Sequence, residues 1–292
     1  MRKQQSFYQV AARKNRKTLA KLSIPKGPFD IQCDVENESH SIASAFIAHG
    51  PSDYRKEDRK RVLTHFKHAE GPIRPFAKSL RRSLMRSTVP YSLASSRMIG
   101  KFAQRLSGEV LKLIDESESE ELRFLTLVGR WLFLPHELDC NTLRRIHEQL
   151  KTHFKRAHVT DATGWLVGSL DGSYDGKFIS IHLHAIVSGN KIDAIDAKLR
   201  KLRCYKRLDP SETPVRLDHV NDSRCQTSYC FKTWWAADHE AEERHPSKKN
   251  VKRFRMPSNA EAAYLQMLHE TPVTDWLILN GVRLGAHGLK LN

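Results

Sequence analysis

The run FISIHLHAIV at 178–187 constrains the fold of this chain more than any other segment. Side chains of a β-strand point alternately to opposite faces of the sheet. The apolar side chains of the run occupy alternate positions, at Ile179, Ile181, Leu183, Ala185 and Val187. His182 and His184 occupy the positions between them. The pattern predicts a strand with one apolar core face and two neighbouring imidazoles on the other face.

Two imidazoles on one sheet face can ligate a single divalent metal ion. The pair alone is weak evidence for a metal site, because a chain with 15 histidines in 292 residues contains about one His-x-His by chance. An amphipathic strand with two solvated histidines would explain it equally well. The surrounding sequence has to decide between a metal site and a surface strand.

A Tyr-x-x-Lys pair, Tyr229 and Lys232, lies downstream of the histidines. On a helix, residues three apart share a face. A phenol is a poor nucleophile at its free pKa of about 10, so it needs a metal-polarised substrate or a neighbouring cation. Both would be at hand here. We therefore expect Tyr229 to attack a phosphodiester in line while Lys232 offsets charge on the phosphate.

A carboxylate is expected to complete the metal site, because magnesium and manganese prefer oxygen ligands. Asp171 is the first candidate, since it ends a strand predicted at 164–171. An Asp-Gly hairpin signal in SYDG joins that strand to the histidine strand. The alternative is an ordinary turn carboxylate. Asp218 and His219, on a later strand, are the reserve ligands.

Two other His-x-His chemistries are disfavoured by the residues that follow. A dinuclear zinc hydrolase would need Asp and His to continue the run, where this chain has Ile186 and Val187. A histidine-triad nucleotidyl transferase would need a third histidine at Ile186. Both chemistries lose the next ligand or the nucleophile.

The net charge of +16 and the pI near 9.7 favour a polyanionic partner, because basic side chains release counterions from nucleic acid. Basic residues crowd 55–61 and 78–86. We expect Arg81, Arg82 and Arg86 to contact DNA phosphates, although solvated surface charge is the alternative. Trp234 is a candidate for stacking on an unpaired base, with core packing as its alternative.

The chain shows no sign of a secretory or membrane protein. Its five cysteines are odd in number and form no CxxC pair, which argues against a disulfide framework and a structural zinc module. It has no charge-free apolar run near 18 residues, and the first residues resemble no secretory signal. We expect a cytoplasmic protein without a membrane partner.

The order of predicted elements indicates an α+β fold. A helical stripe at 93–115 ends in the acidic run ESESEE, and strands and helices then follow in the order β-α-β-β-α-β-α. This order predicts a central antiparallel sheet with helices on one face. We divide the chain into a basic, mainly helical region at 1–116, a catalytic domain at 117–245 and a helical extension at 246–292.

Three ordered motifs resemble the rolling-circle replication initiators of the HUH endonuclease superfamily, from plasmids and phages. RFLTLV at 123–128 resembles the first motif of that family, IHLHAIV at 181–187 its metal-binding motif and SYCFKTWW at 228–235 its tyrosine motif. The resemblance covers roughly 115–240. It implies a sheet with the metal histidines at its centre, and Asp171 stands where such proteins often have Glu.

The resemblance also implies an activity, which is to nick single-stranded DNA at a replication origin through a 5′-phosphotyrosine intermediate. It implies magnesium or manganese as cofactor, and single-stranded and hairpin origin DNA and a host helicase as partners. This chain departs from the family in three ways, the first being that no Glu lies one turn before Tyr229, where Cys225 and Gln226 are found. It lacks cysteine pairs in STVPYSLASSRM, and a single tyrosine in the third motif leaves the terminating cleavage to another nucleophile or an activated water.

Two other functions stay open. A transposase or conjugative relaxase would use the same tyrosine chemistry, although the short chain and the lack of an attached helicase disfavour a full relaxase. A non-catalytic DNA-binding regulator would explain the basic charge but not the order of the motifs.

Overall fold

The computed structural model describes residues 7–21, 54–68, 75–86, 90–117, 121–206, 213–232, 236–237, 254–285 and 288–292. In this part of the chain the fold is α+β, as the sequence predicts, and is built around one large sheet.

Four strands form the centre of this sheet: β1 (Leu122–Phe133), β2 (Leu166–Tyr174), β3 (Ile179–Ser188) and β4 (Val215–His219). They lie in the order β4-β1-β3-β2, and each neighbouring pair is antiparallel. The predicted antiparallel sheet is therefore confirmed. The histidine strand β3 lies between β1 and β2, so both of its edges are hydrogen-bonded.

The turn between β2 and β3 fixes their register. Asp175 Oδ1 accepts hydrogen bonds from the backbone amides of Lys177 and Phe178, and Gly176 adopts a positive φ of 101°. Glycine reaches this conformation without the steric cost of a Cβ atom. The Asp-Gly pair thus forms the predicted hairpin, and its register places Asp171 directly opposite His182.

In the described residues, seven helices precede, connect or directly follow these four strands. They are α1 (Phe7–Lys21), α2 (Tyr54–His68), α3 (Pro75–Met85), α4 (Ser96–Glu116), α5 (Thr142–Arg156), α6 (Lys191–Ala197) and α7 (Ser223–Cys230). Among the described helices, none has the length and apolar character to span a bilayer.

Helices lie on both faces of the sheet, whereas the sequence predicts them on one face. On the apolar face, the indole of Trp131 donates to Gln149 of α5 at 2.8 Å. On the histidine face, the ring of Tyr229 in α7 packs against His184. The physical reason is Ile186, a buried apolar residue on the histidine side of β3. Because that face is also partly apolar, it too has to be covered.

The C-terminal region is only partly helical. The helices α8 (Ser258–Glu270) and α9 (Val273–Trp276) are followed by the strands β7 (Leu277–Asn280), β8 (Val282–Gly285) and β9 (Gly288–Leu291). The strand β7 pairs with β2 in the main sheet, and β8 pairs with β9. Short two-residue strands, β5 (Ala236–Ala237) and β6 (Phe254–Arg255), extend the same sheet.

The predicted helical extension at 246–292 is thus wrong beyond Trp276. Four residues of strand cannot be distinguished from a helical turn by periodicity. The exposed edge of β2 selects the strand, because it offers unpaired backbone groups.

A buried carboxylate joins the N-terminal helices. Asp58 of α2 is fully buried and accepts hydrogen bonds from Ser95, Ser96 and Arg97 at the start of α4, with an Arg97 Nε to Asp58 Oδ2 distance of 2.8 Å. An acid at a helix N-terminus is also favoured by the helix dipole. Asp58 therefore fixes α2 to the first turn of α4.

We expect Asp58→Ala to lower the free energy of unfolding by about 3–5 kcal/mol, because the buried Arg97 guanidinium would lose its counter-charge. Urea denaturation measures the change. The control is Asp196→Ala, which removes a surface pair with Arg200 and should cost about 1 kcal/mol or less. Equal losses in the two variants would contradict the role of Asp58.

Candidate metal and nucleophile site

Three buried side chains converge on the histidine face of the sheet. His182 Nε2 lies 3.3 Å from Asp171 Oδ2, and His184 Nε2 lies 3.8 Å from the same oxygen. One ligand atom from each residue lies within 4.8 Å of the others. The structure therefore brings together the three ligands that the sequence predicts, as a group that could hold a metal ion.

The reserve ligands stand apart from this group. Asp218 pairs with Arg216 of its own strand at 2.7 Å, and His219 is exposed at the end of β4. In the register, Asp218 lies opposite Phe124 of β1, one strand away from β3. Asp171 is closer because its strand is the direct hairpin partner of β3.

Thr126 orients the second imidazole. It lies opposite His184 in the register of β1 and β3, with its hydroxyl oxygen 3.3 Å from His184 Nδ1. When Nδ1 carries the proton, Nε2 keeps its lone pair directed at Asp171. Burial lowers the pKa of His184 well below its ordinary value, and nearby His182 lowers it further. The neutral imidazole, which is the form that binds metals, is thus favoured.

The donor atoms fit a divalent cation. Among the described residues, His184 Nε2 and Asp171 Oδ1 are buried without a hydrogen-bond partner. Such atoms are costly in a protein interior, and coordination would satisfy both. Two imidazoles and one carboxylate suit manganese, and also iron or zinc, whereas magnesium prefers a larger share of oxygen ligands.

The ammonium of Lys232 links the metal group to the tyrosine. It forms an ion pair with the Asp171 carboxylate and lies 3.4 Å from Tyr229 Oη. The sequence predicts that Tyr229 and Lys232 share a helix face. This prediction is wrong, because the helix α7 ends at Cys230, before Lys232. Phe231 leaves the helical conformation, and the following turn, closed by a bond from Lys232 N to Tyr229 O, brings the side chains together.

Both members of this ion pair are charged near neutral pH. Burial raises the pKa of Asp171, but the Lys232 ammonium and the two histidines outweigh burial and hold it below the ordinary value. Burial likewise lowers the pKa of Lys232, and the Asp171 carboxylate more than compensates, so that this pKa is raised. The site therefore contains a fixed cation beside the phenol oxygen.

Aromatic packing sets the position of Tyr229. Its ring meets that of His184 edge-on, with centroids 4.8 Å apart and planes at 74°. The ring of Phe124 lies 5.9 Å from Tyr229 and 5.7 Å from His184. Edge-on contacts of Tyr229 with both rings, and stacking of Phe124 on His184, restrict the ring orientations. The hydroxyl is consequently held beside Lys232.

Sequence reasoning missed three residues that support the site. Phe124 and Thr126 hold the rings of Tyr229 and His184, and Ser169 Oγ donates to the carbonyl of Cys230 at the end of α7. All three lie on the same sheet face as the histidines. Strand alternation in RFLTLV and GSLD shows which of their side chains share a face. Only the strand register shows that this face is the one that carries the histidines.

The predicted DNA-contacting residues belong to another element. Arg81 and Arg82 are exposed on α3, and Arg86 is exposed just beyond its end. None of the three belongs to the metal-ligand group. Trp234 lies outside the described residues, so its predicted stacking role stays a prediction.

Comparisons with protein-family models, with curated proteins and with solved structures find no match to this chain. The site geometry and the order of the motifs are therefore the features that point to a function. The chemistry that the site residues suggest can be tested on the protein itself.

We expect Thr126→Val to weaken manganese binding by about 10- to 100-fold, because it removes the group that orients His184. Isothermal titration calorimetry measures the affinity. The matched control is Thr152→Val, which removes an exposed hydroxyl bonded to its own helix. Equal affinity in the two variants would show that Thr126 does not orient the ligand.

Proposed function

We propose that this protein is a metal-dependent nickase that cuts single-stranded DNA at a replication origin and later rejoins it, as an initiator of rolling-circle replication of the HUH type. One observation carries the proposal. The Tyr229 hydroxyl, the Lys232 ammonium and the Asp171, His182 and His184 ligand group lie together on one sheet face.

The proposed reaction is an in-line displacement at phosphorus. Tyr229 Oη forms a bond to the phosphorus, and the bond from phosphorus to the 3′ oxygen breaks. The phenol gives its proton to solvent, and the departing 3′ oxygen takes one up. Lys232 stabilises the developing phenolate by its proximity. When bound, magnesium or manganese supplies Lewis-acid polarisation of a phosphoryl oxygen.

The reverse reaction would rejoin the strand. The phosphotyrosine bond conserves the energy of the broken phosphodiester, so that a free 3′ hydroxyl can displace Tyr229. The single tyrosine in the motif leaves the terminating cleavage to a second nucleophile. In this proposal, hairpin and single-stranded origin DNA are the substrates, and a host helicase separates the strands.

The basic charge supports DNA as the substrate. The net charge of +16 favours binding to a phosphate backbone. Arg81, Arg82 and Arg86 are exposed, as phosphate contacts require. A cytoplasmic location is consistent with this partner.

A transposase or relaxase would use the same chemistry, and a DNA-binding regulator would use none. The buried charges favour an enzyme over a regulator. An Asp–Lys pair beside two buried histidines costs desolvation energy without contributing much to stability, and perturbed pKa values cluster at functional sites.

Tyr229→Phe should abolish the covalent adduct, because it removes the attacking oxygen. Single-stranded oligonucleotides that tile the DNA around the gene, each labelled at its 3′ end, are incubated with the protein and manganese. The label should then migrate with the protein in a denaturing gel. Tyr91→Phe, a hydroxyl deletion outside the site, should leave the adduct intact. An undiminished adduct in Tyr229→Phe would exclude this tyrosine as the nucleophile.

Asp171→Asn should reduce metal-dependent cleavage by about 100-fold or more, because it removes a ligand charge from the group. Asp218→Asn tests the reserve ligand in the same assay and should stay within about threefold of the parent, as expected for a surface pair. Initial cleavage rates at saturating manganese measure both. If Asp218→Asn gave the larger loss, the assignment of the carboxylate would be reversed.

A further inference from the structure

The exposed charges of α1, α2 and α3 are all positive. Neither α1 nor α3 contains an acidic residue, and α2 contains only Glu57 and Asp58, both buried. The exposed cations of this part of the chain are Arg13, Lys14, Arg16, Lys17, Lys21, Arg55, Lys56, Arg59, Lys60, Lys78, Arg81, Arg82 and Arg86. We call this set the basic surface.

The two acids do not offset the basic surface, because they are engaged inside the protein. Asp58 is saturated by groups at the start of α4. Glu57 pairs with the buried Arg61 at 3.3 Å, and Arg61 in turn donates to the carbonyl of Ala94 at 2.7 Å. Among the described side chains of these three helices, every exposed charge is therefore a cation.

The three helices form a connected unit. Arg55 Nη2 donates to the carbonyl of Leu84 at 3.5 Å, which joins α2 to α3. Ser79 Oγ donates to Tyr8 Oη at 3.4 Å, which joins α3 to α1. Cations on packed helices are arranged before binding, so they contact phosphates at a smaller entropic cost than cations on a flexible tail.

The aromatic residues of these helices favour a duplex over a single strand. Proteins that bind single strands combine cations with exposed rings on which bases stack. Here Tyr54 and Phe76 are buried, and Tyr8 is stacked on His269 at a centroid distance of 4.1 Å. Among the described rings of α1–α3, Phe7 is the exposed one. Duplex DNA needs no stacking platform and has one negative charge per about 1.7 Å of axis.

We infer that the basic surface binds the backbone of duplex DNA, independently of sequence. The inference rests on the proposed function for the identity of that DNA, which is the double-stranded flank of the nicked origin. Phosphate contacts position a protein on DNA without reading its bases. The basic surface would therefore hold the flank while the sheet face acts on the unpaired strand.

The test replaces four exposed cations of α2 and α3, Arg59, Lys60, Lys78 and Arg82, by glutamine. Fluorescence anisotropy measures binding to a 20-base-pair duplex of arbitrary sequence between 50 and 200 mM salt. We expect at least about tenfold weaker binding at 50 mM salt. The slope of log affinity against log salt should fall by up to about 3.6, or about 0.9 per lost phosphate contact.

The matched control replaces four exposed cations of α5, Arg144, Lys151, Lys155 and Arg156, and thus removes the same net charge. It should change the slope by less than about 1. Equal effects of the two variants would overturn the inference in favour of a net-charge effect. The inference would also be overturned if the fourfold variant lost as much affinity for a 20-nucleotide single strand as for the duplex. In that case the basic surface would bind single-stranded DNA.

The measurement separates this inference from the proposed nicking activity. Duplex binding needs no cleavage, and it is also measured on Tyr229→Phe, which has no nucleophile. Loss of nicking with intact duplex binding would count against the proposed function alone, whereas an unchanged salt slope would count against the basic surface alone. If the fourfold variant does not fold, as judged by circular dichroism, the pairs Arg59/Lys60 and Lys78/Arg82 are measured separately, each with half of the effect expected.

Discussion

Asp171 places a negative charge in the protein interior, on the histidine face of the sheet. This charge has to be balanced by cations at short range. Lys232 provides the balance from the turn that follows α7. Because the same ammonium lies beside Tyr229 Oη, the ion pair joins the ligand group to the proposed nucleophile, Tyr229. A buried pair of this kind contributes little to stability by itself, but loss of one partner is costly. The position of the tyrosine is thus tied to the charge of the carboxylate.

The sequence predicted the local part of this arrangement. Strand alternation placed His182 and His184 on one face, and the Asp-Gly hairpin placed Asp171 opposite His182. Both depend on residues within about a dozen positions of one another along the chain. The contributions of Thr126 and of the C-terminal strand β7 could not be predicted, because they depend on pairings between distant segments. Edge strands and registers of that kind are decided by tertiary packing rather than by local pattern.

An irregularity in β1 lies next to the site. The register between β1 and β3 shifts between Val128 and Leu132, and Trp131, within this irregular segment, is buried. Such irregularities often lie next to active sites. Val128, the partner of His182, is 38% exposed and Leu132 is 50% exposed. The helix α7 covers the sheet around His184, whereas these two side chains of β1, beyond His182, stay exposed.

Two buried acids anchor separate parts of the molecule. Asp58 fixes α2 to the start of α4, just as Asp171 holds the end of α7. Each acid is neutralised internally, so neither reduces the positive potential outside. A chain that buries acids as structural anchors while its basic side chains stay in solvent becomes more cationic at its surface. Such a surface attracts polyanions over a distance set by the ionic strength, so the proposed binding of DNA depends on where the acids are buried as well as on the exposed cations.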